Sequence, residues 1–326
     1  MEPTELLLIR KYRPEYTPPA QQTILSIREK VIGCLQSLTV FSGIPKSGKS
    51  TYMAGTIASA FTPYSIFECK INFPKGRERL ALFDTESSEF DFYKQMAHVK
   101  NFAQISSIPS NLDAFATRED DPEKIKGMIE SYLKQNRDCS VLVIDGLLDL
   151  LFDFNNVEES KQLINWIKRI TKQFDLLIIS VLHLGKGGEK NTLGHLGSMA
   201  DRLVQSSVKI ERNRERNTFD MTPSFLRSSG DFEPISIACI NDVWQQVDSP
   251  MPDNKSPSAS WKSYTELQHS FLRTQALKQS GSPYKEICAA IQESEAVGIN
   301  AAKAILKKWI AEKSILKGPD GLYHPK

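Results

Sequence analysis

Apolar residues come in this chain as short β-branched runs set between stretches of helical spacing. Leu38–Ser42 (LTVFS) reads as a strand that feeds a glycine-rich loop, and a helix over Lys49–Phe61 follows it. Leu80–Phe83 (LALF) reads as a second strand, ending at Asp84-Thr85-Glu86. Helical spacing over Pro122–Asn136 leads to a third strand, Val141–Ile144 (VLVI). Glu158–Phe174 is amphipathic, with Leu163, Ile164, Ile167, Ile170 and Phe174 on one face, and Leu176–Leu182 (LLIISVL) is a fourth strand. Unbroken apolar strands alternating with helices imply a parallel sheet covered on both faces, an α/β fold. After Gly187 the pieces Val204–Glu211, Thr218–Thr222 and Ile235–Cys239 read as an antiparallel extension of that sheet.

The ends differ from the middle. Residues 1–30 are rich in proline and charge (RPEYTPPAQQ) and read as an arm, with the core expected over 31–248. Residues 249–260 (SPMPDNKSPSAS) have the composition of a linker. In the tail, 261–326, Ser282-Pro283 opens a helix (YKEICAAIQ) and Asn300–Lys313 is a second. Ile315–Lys317, a Gly-Pro-Asp-Gly turn and Leu322–His324 complete a hairpin, which is the order of a small winged-helix domain.

Composition narrows the class without deciding it. A 40% apolar and 25% charged content is that of an ordinary globular protein, and a net charge of +2 leaves nucleic-acid binding to local patches. Five scattered cysteines without a CxxC pair predict reduced thiols. The first apolar run, Leu6–Ile9, is too short for a leader or a span, so the expectation is a cytoplasmic protein without membrane contact.

The chemistry is carried by Gly43-Ile44-Pro45-Lys46-Ser47-Gly48-Lys49-Ser50, followed by Thr51. Two glycines let a loop curl until its N–H groups converge on phosphates, and the next helix adds the positive end of its dipole. Lys49 would supply a cation to the β- and γ-phosphates, and the Ser50 hydroxyl would ligate Mg²⁺. Asp145, at the end of VLVI, occupies the place of an acidic Mg²⁺ partner, or else of a capping aspartate. ATP and Mg²⁺ are the cofactors this predicts.

The constellation resembles the RecA-like ring-forming ATPases, particularly their RepA- and DnaB-like hexameric helicase branch. The features that match are GIPKSGKS, FDTE, VLVIDG, SVLH, LGHLGS and IERNR, within residues 31–248. The resemblance implies Glu86 as the base that polarises water, with Glu89 as competitor, and His183 as a γ-phosphate sensor. It also implies Arg212 as an arginine supplied in trans to the next subunit, and hence a homo-oligomer, with six copies as the ring form. Arg214 and Arg216 compete for that role, and the lysine that accompanies the family's arginine falls at Ile210, with Lys209 one place off. Lys186 and Lys190, in a glycine-rich loop, lie where the family threads single-stranded DNA, or in a loop with no such role.

The tail holds ten Lys/Arg against six Asp/Glu, and helical spacing puts Lys303, Lys307 and Lys308 on one face. Such a face would meet duplex DNA, or only solvent; Ile305, Leu306, Trp309 and Ile310 read as core. The expected function is an ATP-driven DNA motor, a replicative helicase of a mobile element or prophage. An ATP-switched DNA-binding regulator, and a RecA-like accessory factor acting on proteins, share every phosphate-site residue with it.

Overall fold

The computed structural model describes residues 3–18, 20–184, 203–247, 266–278, 280–295 and 299–325. Lys186, Lys190, the LGHLGS stretch and the 249–260 segment lie outside them. The chain divides into two compact units, Met1–Pro250 and Met251–Lys326.

The first unit is mixed α/β, with a large, mostly parallel sheet flanked by helices. Its strands are β1 (Thr23–Ile27), β2 (Lys30–Cys34), β3 (Leu38–Gly43), β4 (Cys69–Ile71), β5 (Arg79–Asp84) and β6 (Leu112–Ala116). β7 (Cys139–Asp145), β8 (Leu177–His183), β9 (Ser206–Asn213), β10 (Thr218–Leu226), β11 (Ile235–Ile240) and β12 (Val243–Val247) follow. Nine of these form one sheet in the order β12-β11-β10-β9-β3-β8-β7-β5-β6. Pairing is parallel from β9 to β6 and antiparallel from β9 to β12. β1, β2 and β4 make a separate three-stranded sheet.

The helices of this unit are α1 (Pro3–Arg10), α2 (Lys49–Ala58), α3 (Glu89–Ala103), α4 (Pro122–Gln135) and α5 (Val157–Phe174). Val141 and Val143 of β7 face the side covered by α2 and α3, where Tyr52, Met53 and Val99 pack. Leu142 and Ile144 face α4 and α5, against Ile129, Leu163 and Ile167. Burial on both faces is why these strands read as unbroken apolar runs. Capping fixes where the helices begin: Ser88 Oγ accepts from Asp91 N, Asp121 Oδ1 from Lys124 N, and Asn156 Oδ1 from Glu158 N.

Several expectations change. Residues 23–30 are not arm: Thr23–Ile27 pairs with β2 and β4 and buries Ile24, Leu25 and Ile27. The piece expected over Val204–Glu211 is β9, and it joins β3 in parallel, so the antiparallel extension begins only at β10. α1, α3, β1, β2, β4, β6 and β12 have no counterpart among the expected elements. Four cysteines are buried, Cys239 is exposed, and all five are free thiols.

The second unit, described by itself, holds α6 (Glu266–Ala276), α7 (Tyr284–Glu295), α8 (Ile299–Ala311) and a hairpin of β13 (Ile315–Lys317) and β14 (Tyr323–Pro325). Its core gathers Leu272, Ile287, Ile291, Ile305, Leu306 and Trp309. Trp309 Nε1 donates to the buried His269 Nδ1 at 3.1 Å. Ile310, expected in this core, is exposed. Lys308 also departs from its expected face: Lys303 and Lys307 are exposed, but Lys308 Nζ turns back to lie 2.9 Å from His269 Nε2. Adjacent helix positions point about 100° apart, so Lys307 and Lys308 cannot share one narrow stripe. Among the described residues no helix is long and apolar enough to cross a membrane.

One side chain ties α2 to the antiparallel wing of the large sheet. Tyr52 Oη lies 2.9 Å from Phe219 O and 2.6 Å from Ile235 O, and the residue is fully buried. Tyr52→Phe removes that donor and leaves buried carbonyls without it. The variant is expected to lose about 1–3 kcal/mol of stability in urea unfolding, with no change in slope.

Candidate active site

The C-terminal ends of the parallel strands converge on one edge of the sheet, and the glycine-rich loop leaves β3 there. Gly43 ends the strand where backbone closes in from β9: a Cβ would lie 2.3 Å from Ile210 O and 2.5 Å from Ser47 Oγ. Gly48, at φ +92°, caps α2, and a Cβ on it would meet the Phe219 ring at 2.7 Å. Lys46 is also left-handed, at φ +64°. Ile44, Pro45 and Lys46 are exposed, whereas Ser47 is buried and its Oγ has no partner. Lys49 is 6% exposed and its Nζ donates to Gly43 O at 3.0 Å and Ile44 O at 2.9 Å. Burial pushes its ammonium below the usual lysine range, opposed by the charges of Glu86 and Asp145. Ser50 is exposed and Thr51 half-buried in the first turn of α2.

Carboxylates stand opposite. Asp84 and Asp145 are register partners at the ends of β5 and β7, and both are buried. Burial, then the neighbouring Asp84 and Glu86, push the Asp145 carboxyl up to about 7. Asp145 Oδ2 accepts from Gln95 Nε2 of α3 at 3.2 Å. Asp84 Oδ1 accepts from Glu86 N at 3.1 Å and Ser87 N at 2.8 Å, and so fixes the turn that presents Glu86. Asp84 Oδ2 and Gln95 Oε1 are buried without partners. Below the turn, Thr85 Oγ1 lies 2.7 Å from Asp149 Oδ2 and 2.8 Å from Asp145 O. Gly146, at φ +112°, makes room for it, since a Cβ would fall 2.2 Å from Thr85 Oγ1.

His183 ends β8 as the register partner of Gly43, between the loop and the carboxylates. Its Nε2 lies 2.5 Å from Glu86 Oε1, and its Nδ1 is buried with no partner. Glu89, the competitor, is exposed in the first turn of α3. The geometry thus brings together Gly43, Ser47, Gly48, Lys49, Asp145, Glu86 and His183. Arg212, exposed on β9, lies with its Cζ 5.4 Å from the centroid of Phe219, the ring that covers Gly48 of the same chain. Lys303, Lys307 and Lys308 belong to the second unit.

The residues fit a bound nucleotide and metal in specific ways. The loop offers an unused buried hydroxyl at Ser47 and a lysine folded back on carbonyls, both able to turn to phosphate. Hard oxygen donors suit Mg²⁺: Ser50 Oγ, Asp145 and, beside it, the unpartnered Asp84 Oδ2. Among the described residues no group of three or more His, Cys, Asp or Glu is gathered as a ready-made cage. Asp84, Gln95, Asp149 and Phe219 were not foreseen as site residues. A turn signal in DTESS could have found Asp84, whereas Gln95 carries no signal without knowledge of α3.

No protein-family model matches this chain, and no curated protein is significantly similar to it.

The buried Asp145 sets a pH dependence. Its folded pKa lies above the unfolded value, so its contribution to stability is complete below about pH 4 and lost as pH rises through about 7. Relative to Asp145→Asn, the intact protein should lose stability between those limits, as read by urea unfolding at a series of pH values. A flat difference would contradict the buried carboxyl.

Proposed function

We propose that this chain is an ATP-hydrolysing, DNA-associated oligomeric motor with a RecA-like core, similar to the RepA-like helicases of mobile elements and prophages. The observation that carries the reading is the loop Gly43–Ser50 between β3 and α2, with Lys49 buried at the helix start, Asp145 ending β7 and Glu86 in the turn after the neighbouring β5. Three helices followed by a hairpin in the second unit have the order of a winged helix, which supports contact with duplex DNA through Lys303 and Lys307.

In this reading the loop N–H groups, Ser47 Oγ and Lys49 hold the phosphates of ATP, and Ser50 and Asp145 hold Mg²⁺. The metal, when bound, neutralises charge on the phosphate oxygens. Glu86 accepts a hydrogen bond from water and aligns it, without contributing to the metal. Arg212 stabilises charge on the transferred phosphoryl of a neighbouring copy, and its place beside Phe219 makes its own loop the competing target. Lys186 and Lys190 remain the residues proposed for single-stranded DNA.

A second reading has an observation in its favour. Glu86 is already engaged by His183, which suits a protein that uses ATP as a switch for DNA binding and turns it over slowly.

Steady-state hydrolysis with and without single-stranded DNA separates the two. Turnover should rise with DNA, fall at least about 100-fold in Glu86→Gln, and vanish with nucleotide binding in Lys49→Ala. Turnover indifferent to DNA would favour the switch. Absence of ATP binding by the intact protein would remove both readings.

A further inference from the structure

Glu86 is held at three points. Its amide is fixed by Asp84 Oδ1, its Cγ lies over Gly146, where a Cβ would come within 2.9 Å, and its carboxylate meets His183 Nε2 at 2.5 Å. A carboxylate only accepts, so the proton between them belongs to Nε2. The other ring nitrogen, Nδ1, is buried and finds no donor or acceptor. His183 therefore has one hydrogen-bond donor that faces the site, and Glu86 occupies it.

The same imidazole stands next to the place a terminal phosphate would take. His183 and Gly43 are register partners on adjacent strands, and Leu184 N donates to Gly43 O at 3.2 Å. On β8 the alternation that turns Leu177, Ile179 and Val181 to the α2 side turns His183 to that side as well. Asp145 shares it, following Val141 and Val143 on β7. The ring thus lies between the phosphate loop and the acidic strand ends.

The geometry points to a latch: in the nucleotide-free protein His183 Nε2 holds Glu86, and an anionic terminal phosphate draws that same donor away and frees the carboxylate to orient water. The two engagements exclude each other because they use one N–H. His183 is then a positioning residue for Glu86 before it is a contact to phosphate, and base activity appears only when the site is filled. This rests on the nucleotide reading above for its second half. Its first half, the His183–Glu86 coupling, belongs to the empty protein alone.

A double-mutant cycle over Glu86→Ala and His183→Ala tests both halves, with Glu86→Gln and His183→Asn as substitutes where an alanine variant fails to fold. In nucleotide-free protein, urea unfolding should show the two changes to be non-additive, by on the order of tenfold in the folding equilibrium constant. Additive effects there overturn the latch, whatever the protein does with ATP. In the second half, affinity for a non-hydrolysable ATP analogue with Mg²⁺ is measured by calorimetry on the same four proteins. Removing Glu86 relieves repulsion of the phosphates in either background, but only with His183 present does it also release a competing hydrogen bond. Glu86→Ala should therefore tighten analogue binding several-fold more in the His183 background than in the His183→Ala background. An equal factor in both overturns the exchange. Coupling in the empty protein with no analogue binding would remove the nucleotide reading and, with it, the exchange, leaving only a structural pair.

Discussion

The site depends on how closely backbone and ring approach the glycine-rich loop. Ile210 O presses on Gly43 and the Phe219 ring covers Gly48, leaving no room for a Cβ at either position. β9 lies beside β3 in parallel and β10 returns antiparallel to it, so two strands distant in sequence close one side of the loop. Tyr52, in the second turn of α2, bonds to carbonyls of β10 and β11 and holds the helix start against them. A loop confined in this way is ordered before any ligand arrives, which lowers the ordering cost of binding one.

Electrostatics completes what the packing begins. Two buried carboxylates side by side, Asp84 and Asp145, repel each other. The nearest lysine of the loop, Lys49, spends its donors on Gly43 O and Ile44 O. The edge is therefore split into a half that carries the loop lysine and a half that carries the carboxylates. His183 stands on the strand between the halves and is joined to Glu86. The proposed roles follow from that division of charge more than from any single residue.

The sequence made the central strands readable because burial on both faces turns them into unbroken runs, as in VLVI and LLIISVL. The loop was readable because its glycines answer a backbone requirement that few other residues can meet. Other parts were hidden for physical reasons. α3 (EFDFYKQMAHVKNFA) mixes exposed Phe90 and Tyr93 with buried Phe92 and Val99, so its apolar positions trace no clean stripe. The pairing of β9 with β3 is non-local and leaves no trace in local pattern. Gln95 is a residue type usually found at the surface, and only the placement of α3 turns it toward Asp145. In the tail, two of the three helices were readable and α6 was not, and the buried His269 drew Lys308 away from the face assigned to it.

We propose the loop between β3 and α2 as a triphosphate cradle, and a crystal structure with Mg²⁺ and a non-hydrolysable ATP analogue would show whether it is one. The phosphates are expected at the start of α2, with Lys49 Nζ moved from Gly43 O and Ile44 O onto phosphate oxygens, and Ser47 Oγ satisfied. An analogue bound elsewhere, or bound with Lys49 still on those carbonyls, would contradict it.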